Sequence, residues 1–181
     1  KLILEISEKI GKKDLILVTG HRRENFGVGF ENICKAIKKI AINNPDLIII
    51  YPVHLNPKVS EPVKQLLGKI NNIMLINPVN YPDFIWLMNR SKIIITDSGG
   101  VQEEAPSLGK PVLVLRETTE RPEAVVAGTV ILVGTDTEKI FSVTKKLLNN
   151  ENEIERMSKL HNPYGDGFAS KRIVQFMKKI K

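Results

Sequence analysis

Ile93-Ile94-Ile95-Thr96-Asp97-Ser98-Gly99-Gly100-Val101-Gln102-Glu103-Glu104-Ala105-Pro106 is the stretch on which the reading of this chain turns. A run of β-branched apolar residues gives way to a short polar turn with two glycines, and a helix-compatible segment with two carboxylates follows. A continuous apolar run, as opposed to an alternating one, is the pattern of a buried parallel strand. Successive glycines at its carboxyl end let backbone N–H groups approach a ligand with no Cβ in the way. The free N–H groups and dipole of the next helix favour an anion there, with the Ser98 hydroxyl as a neutral donor. The stretch reads as a strand, turn and helix that hold a phosphate.

Working outward, the same unit recurs. Leu2, Ile3, Ile6 and Ile10 fall at helical spacing, with Gly11 as C-cap. Leu15–Thr19 is a strand, the loop Gly20–Gly29 is polar, and a helix from Phe30 ends at Asn43-Asn44-Pro45. Strands follow at Leu47–Tyr51, Ile73–Ile76, Pro111–Leu115 and Val130–Val133. Between them the spacing predicts helices from about Val59 to Leu67, from Asn80 or Tyr81 with Pro82 near the first helical position, and from the opening turn to about Leu108. Arg116 to Pro122 reads as a loop rich in charge and threonine. A helix capped by Asp136 or Thr137 follows, and then helical stretches near Glu151–Leu160 and Ala169–Ile180. Strands alternating with helices predict an α/β fold: a doubly wound, parallel six-stranded sheet with helices on both faces. Such sheets bind ligands beyond the carboxyl ends of their strands. The polar loops after the first, second, fourth and fifth strands all sit there.

Composition bounds the function. A chain of 181 residues with 42% hydrophobic content suits one domain, expected here to span 1–181. The net charge of +7 invites a nucleic-acid reading. Its lysines, however, spread along helical faces, and the densest group (Lys171, Arg172, Lys178, Lys179 and Lys181) has no regularly spaced stacking aromatics. An anionic small ligand is the better expectation, with no nucleic acid and no membrane as partner. Cys34 is the single cysteine, which excludes an internal disulfide or thiol-based metal cluster and fits a reducing, cytoplasmic interior. The first ten residues are amphipathic and unlike a signal peptide. The chain opens without Met in the middle of a helical pattern, as an excerpt of a longer protein would.

Three common motifs can be tested and fail. Gly27-Val28-Gly29 carries the first two glycines of a dinucleotide fingerprint, but Asn32 stands where the third belongs. No Walker A sequence is present. A nucleophile elbow needs glycine two residues before the serine, and position 96 is Thr, so Ser98 reads as a donor and not a nucleophile. His21-Arg22-Arg23-Glu24-Asn25 reads in isolation equally as a solvated loop; its place after a buried strand favours contacts to phosphate oxygens. Glu103 and Glu104 either favour the first turn of a helix through its dipole or accept hydrogen bonds from ribose hydroxyls. Glu104 lies six residues past Ser98, about 9 Å along a helix. Arg121 is a second phosphate or sugar contact or a surface ion pair. Phe84 is by default core, and His54 a capping or surface residue.

Taken whole, the residues Val18–Asn25, Thr96–Pro111, Thr118–Ala124 and Asn162–Gly167 strongly resemble the non-hydrolysing UDP-N-acetylglucosamine 2-epimerases, across nearly the whole chain. The resemblance implies the Rossmann-like C-terminal half of a two-domain, GT-B-like enzyme that interconverts UDP-GlcNAc and UDP-ManNAc. UDP is eliminated with loss of the C2 proton and then re-added, with no cofactor and no metal. It further implies His21 as the catalytic histidine on the diphosphate, and Ser98, Gly99 and Gly100 as the phosphate turn. Glu104 becomes the ribose ligand, with Arg121 and Phe84 as further nucleotide contacts. Arg22 and His54 match positions that bind a second, activating UDP-GlcNAc. Val79 stands where the family commonly has a uracil-contacting Gln, which implies backbone-mediated base contacts there. The family's catalytic carboxylates lie in the N-terminal domain, so the chain alone is expected to be inactive. That domain, a UDP-sugar and a second copy in a homodimer are the implied partners, and the helix near 169–180 is expected to cross to the N-terminal domain. A GT-B glycosyltransferase domain, a nucleotide-sugar binding module and a hydrolysing epimerase remain alternatives at this point.

Overall fold

Every apolar run named above pairs with another in a computed structural model that describes residues 2–180; Lys1 and Lys181, the latter from the basic C-terminal group, lie outside the described residues. The six strands are β1 (Leu15–Thr19), β2 (Ile48–Pro52), β3 (Ile73–Ile76), β4 (Ile93–Thr96), β5 (Val112–Val114) and β6 (Val130–Leu132). They form one sheet in the order β3-β2-β1-β4-β5-β6, with every pairing parallel.

Both faces of the sheet are covered, which is why the strands read as unbroken apolar runs. Alternate residues of one strand serve opposite layers. Ile16, Val18, Ile93 and Ile95 pack with α2 (Val28–Asn43), α3 (Pro57–Leu67), α7 (Thr137–Leu148) and α8 (Glu151–Ser158). Leu15, Leu17, Ile94, Val112 and Val114 pack with α1 (Leu2–Ile10), α4 (Tyr81–Arg90), α5 (Gly99–Glu104) and α6 (Pro122–Ala127). The last helix, α9 (Ala169–Ile180), buries none of its residues.

Helix starts follow local side-chain chemistry. Asn56, Asn80, Asp136 and Asn150 each accept a backbone N–H two or three residues on, and Pro57 and Pro82 occupy the first turns of α3 and α4. Most strand and helix ends shift by one or two residues from the sequence expectation, and three differences are larger. The helix after the opening turn ends at Glu104 and continues as a 3-10 turn over Ala105–Leu108, closed by Gly109 at φ 65°. A Cβ at Gly109 would stand 2.9 Å from the Ser158 carbonyl oxygen, so only glycine fits there. The fifth-strand loop is followed by the short α6, whose six residues are too few to show helical periodicity in the sequence; Pro122 opens it and Gly128, at φ 78°, ends it. A 3-10 turn at Arg23–Asn25 lies within the loop after β1.

Cys34 is fully buried on α2. Burial pushes its thiol up to about 12, with the nearby Glu31 charge adding to the effect. The native chain keeps a proton that the unfolded chain releases at roughly 8.5, so this group lowers stability as pH rises above that point. The expected result is no reaction of Cys34 with a thiol reagent at pH 8 under native conditions, and stoichiometric reaction after denaturation. Fast native labelling would contradict the buried placement.

Candidate active site

The strand order reverses direction at β1 and β4, and the connections leaving their carboxyl ends part to opposite faces. The crevice lies there. Its floor is held by side chains of the strand ends. The Thr19 and Thr96 hydroxyls hydrogen-bond at 2.6 Å, and the buried Tyr51 hydroxyl donates to the Gly20 carbonyl at 2.9 Å. Thr96 Oγ1 also accepts the Ser98 N–H at 3.0 Å, which fixes the start of the turn.

Asp97 links the two loops. One of its carboxylate oxygens accepts the backbone N–H groups of His21 and Arg22, both at 2.8 Å. Asn25 Nδ2 is 3.5 Å from the same oxygen and donates to the Leu115 carbonyl at 3.3 Å. Arg116, 7% exposed at its side chain, adds a second tie: Nε lies 2.8 Å from Glu24 Oε1, and the other guanidinium nitrogens donate to Glu120 at 3.0 and 3.1 Å. The Glu120 hydrogen bond holds the Arg116 guanidinium above its ordinary value, and Arg116 holds the Glu120 carboxyl below its own.

All nine residues singled out in the sequence lie around this crevice. His21, His54, Phe84 and Ser98 line one cavity of about 230 Å³, together with Val79 and Val101. The His21 and His54 rings stack at 5.4 Å between centroids, so His54 is an aromatic neighbour of His21. Gly99 is buried, and a Cβ there would meet the Arg121 guanidinium at 3.6 Å and that of Arg22 at 3.7 Å. Two cations therefore flank the turn. Arg22 and His54, assigned by resemblance to a second ligand, occupy the same crevice as the Ser98–Gly100 turn.

Glu104 takes a different path from the straight helical reach of about 9 Å. Its side chain turns back toward the preceding turn, and Oε1 lies 3.7 Å from where a Gly100 Cβ would stand. The carboxylate remains beside the glycines. Its other oxygen accepts the Tyr81 hydroxyl at 2.8 Å, which raises the tyrosine above its ordinary value. Glu104 and Tyr81 line an adjacent cavity of about 330 Å³ with Asn162, Tyr164 and Gly165, so the Asn162–Gly167 loop joins the site. Arg121 pairs with Glu103, and that hydrogen bond raises the guanidinium further. Sequence reasoning gave no role to Asp97, Tyr81 or Arg116. Asp97 had a signal, as a carboxylate ending an otherwise apolar strand. Tyr81 and Arg116 had none, because their partners are set by folding. Among the described residues, no group of three or more His, Cys, Asp or Glu is placed to hold a metal, and no helix is long and apolar enough to cross a membrane.

This fold and crevice define a class: the doubly wound α/β domain of GT-B-like architecture, with a polar site at the switch point of its sheet. Within that class, the sequence model of the UDP-N-acetylglucosamine 2-epimerases matches residues 2–178, and the chain belongs to that family. A UDP-N-acetylglucosamine 2-epimerase from Salmonella typhimurium is 60% identical over 93% of the chain. The aligned part is 45% of that relative, so the chain spans less than half the length of the curated protein it matches. The UDP complex of S. aureus MnaA superposes with a TM-score of 0.92 at 48% identity, over 97% of this chain and 48% of that one. A UDP-GlcNAc 2-epimerase from Neisseria meningitidis bound to UDP-GlcNAc gives 0.88 at 47% identity, over 98% and 50%.

Proposed function

We propose that this chain is the UDP-binding, C-terminal half of a non-hydrolysing UDP-GlcNAc 2-epimerase. The observation that carries the reading is the convergence of His21, Arg22 and Arg121 on the Ser98–Gly100 turn. An anion there meets two guanidinium groups, a hydroxyl and backbone N–H groups. The diphosphate sits on the turn, Glu104 accepts from the ribose hydroxyls, and Phe84 and Val79 form the wall beside the base. Binding of the ribose then exchanges the Tyr81–Glu104 hydrogen bond for one to the ligand.

In the reaction the C2 proton is removed, the C1–O bond breaks, and its electron pair leaves with UDP to give a 2-acetamidoglucal. Re-addition of UDP with the proton on the opposite face yields UDP-ManNAc. His21 stabilises the negative charge that develops on the departing diphosphate. The groups that move the C2 proton come from an N-terminal domain. The apolar row of Ile173, Val174, Phe176, Met177 and Ile180 on α9 is exposed, and packing against that domain is the role we assign it. The same reading makes the assembled enzyme cytoplasmic and homodimeric, and a second UDP-GlcNAc on Arg22 and His54 would contact the first through the His21–His54 stack.

Calorimetric titration of the chain with UDP tests the site. The wild type is expected to bind, while Ser98→Ala and Glu104→Ala each weaken binding by about 5–100-fold, the loss of one or two hydrogen bonds. Equal affinity in all three would misplace the site. The wild-type chain incubated with UDP-GlcNAc is expected to give no UDP-ManNAc, and turnover by this polypeptide alone would defeat the division of labour.

A further inference from the structure

The Asp97 side chain is fully buried, yet only half of its carboxylate is used. Oδ2 accepts the His21 and Arg22 N–H groups and lies near Asn25 Nδ2, while Oδ1 has no hydrogen-bond partner. A buried carboxylate oxygen without a donor is costly, and the position of such an atom points to what it awaits. The nearest titratable nitrogen is His21 Nδ1, 3.8 Å from Oδ1. The imidazole is about half exposed. Its plane is set by the stack on His54, with only 10° between the rings. His54 is fixed in turn, because its Nδ1 accepts the Asn56 N–H at 3.1 Å. The stacked ring holds Nδ1 on the side of Asp97, where a shift of about 1 Å brings it within hydrogen-bond distance of Oδ1.

We propose that Asp97 is the positioning residue of His21: its free oxygen accepts Nδ1–H, which selects that tautomer in the neutral ring and, in the imidazolium, leaves Nε2–H to donate to an anion in the crevice. The contact holds the imidazole at the switch point with the same carboxylate that fixes the backbone at residues 21 and 22. A carboxylate behind a histidine keeps the ring's tautomer and orientation constant while its far nitrogen interacts with charge. The consequence for turnover rests on reading His21 as the diphosphate contact; the tautomer itself does not.

Two-bond proton–nitrogen correlation spectra of the ¹⁵N-labelled chain, recorded at a pH where the imidazole is neutral, read the tautomer directly. The His21 signals are identified by their absence in His21→Ala. The wild type is expected to show His21 mainly as the Nδ1–H form, against the intrinsic preference of free histidine for Nε2–H. In Asp97→Asn the two backbone N–H groups still need an acceptor, so the amide oxygen takes the Oδ2 place and the amide N–H₂ faces Nδ1. The His21 tautomer is then expected to invert. A wild-type His21 in the Nε2–H form would overturn the proposal, as would the same tautomer in both proteins. Should Asp97→Asn fail to fold, the wild-type spectrum alone decides. In the two-domain enzyme, Asp97→Asn is expected to lower kcat at least about 10-fold with a smaller change in KM. A wild-type chain that fails to bind UDP would defeat the functional reading and leave the tautomer result to decide on Asp97.

Discussion

His21→Ala is expected to lower the turnover of the two-domain enzyme by about 10²–10³-fold, the usual range for loss of one preorganised donor at a developing negative charge. The fold should survive. The His21 side chain is half exposed, and its backbone N–H, which donates to Asp97 at 2.8 Å, is retained in alanine. UDP affinity of the chain should fall about tenfold at most, since Ser98, Arg22, Arg121 and the backbone N–H groups of the turn remain. The discriminating pattern is therefore a large loss of kcat beside a small loss of UDP binding. Steady-state kinetics with UDP-GlcNAc, with calorimetry on the same variant, provide both numbers. Unchanged turnover would remove His21 from the chemistry.

Tyr51→Ala is expected to destabilise the chain by about 3–5 kcal/mol, as for other large aromatic truncations in a core. Tyr51 is among the largest fully buried side chains, and it lies in the layer between the sheet and α2 and α3. Tyr51→Phe keeps nearly all of that packing and removes one hydrogen bond, leaving the Gly20 carbonyl without its donor. Its cost should be about 1 kcal/mol. The two substitutions separate packing from polar support beneath the crevice, and denaturant unfolding of each measures the difference. A phenylalanine variant as unstable as the alanine variant would mean that the hydroxyl, and not the ring, dominates.

The sequence conveyed the fold unevenly, for physical reasons. Strands such as Ile93–Thr96 and Leu15–Thr19 were legible because burial on both faces requires continuous apolar residues. Strand order was not, because β1 finds β4 across more than seventy residues and no local pattern records that choice. The short α6 escaped because six residues hold too little periodicity, although Pro122 and Gly128 mark its ends. Around the crevice, the turn between β4 and α5 was legible from Ser98-Gly99-Gly100, since successive glycines after an apolar run leave the backbone N–H groups uncovered. The direction of Glu104 was not, because a straight helical reach ignores the backward lean of side chains along a helix. The partnership of Asp97 with His21 was equally hidden, as it spans the gap between two loops.

Because Asp97 grips residues 21 and 22 while Thr96 grips both Thr19 and Ser98, the loops after β1 and β4 share one register. An insertion between Thr19 and Arg22, or between Thr96 and Gly99, displaces both loops at once, whereas lengthening the exposed Gly11–Lys13 turn at the opposite end of β1 leaves these contacts in place. Related chains should therefore vary freely in length at the latter and keep the spacing of the former two fixed, so that the two loops are inherited as a single unit.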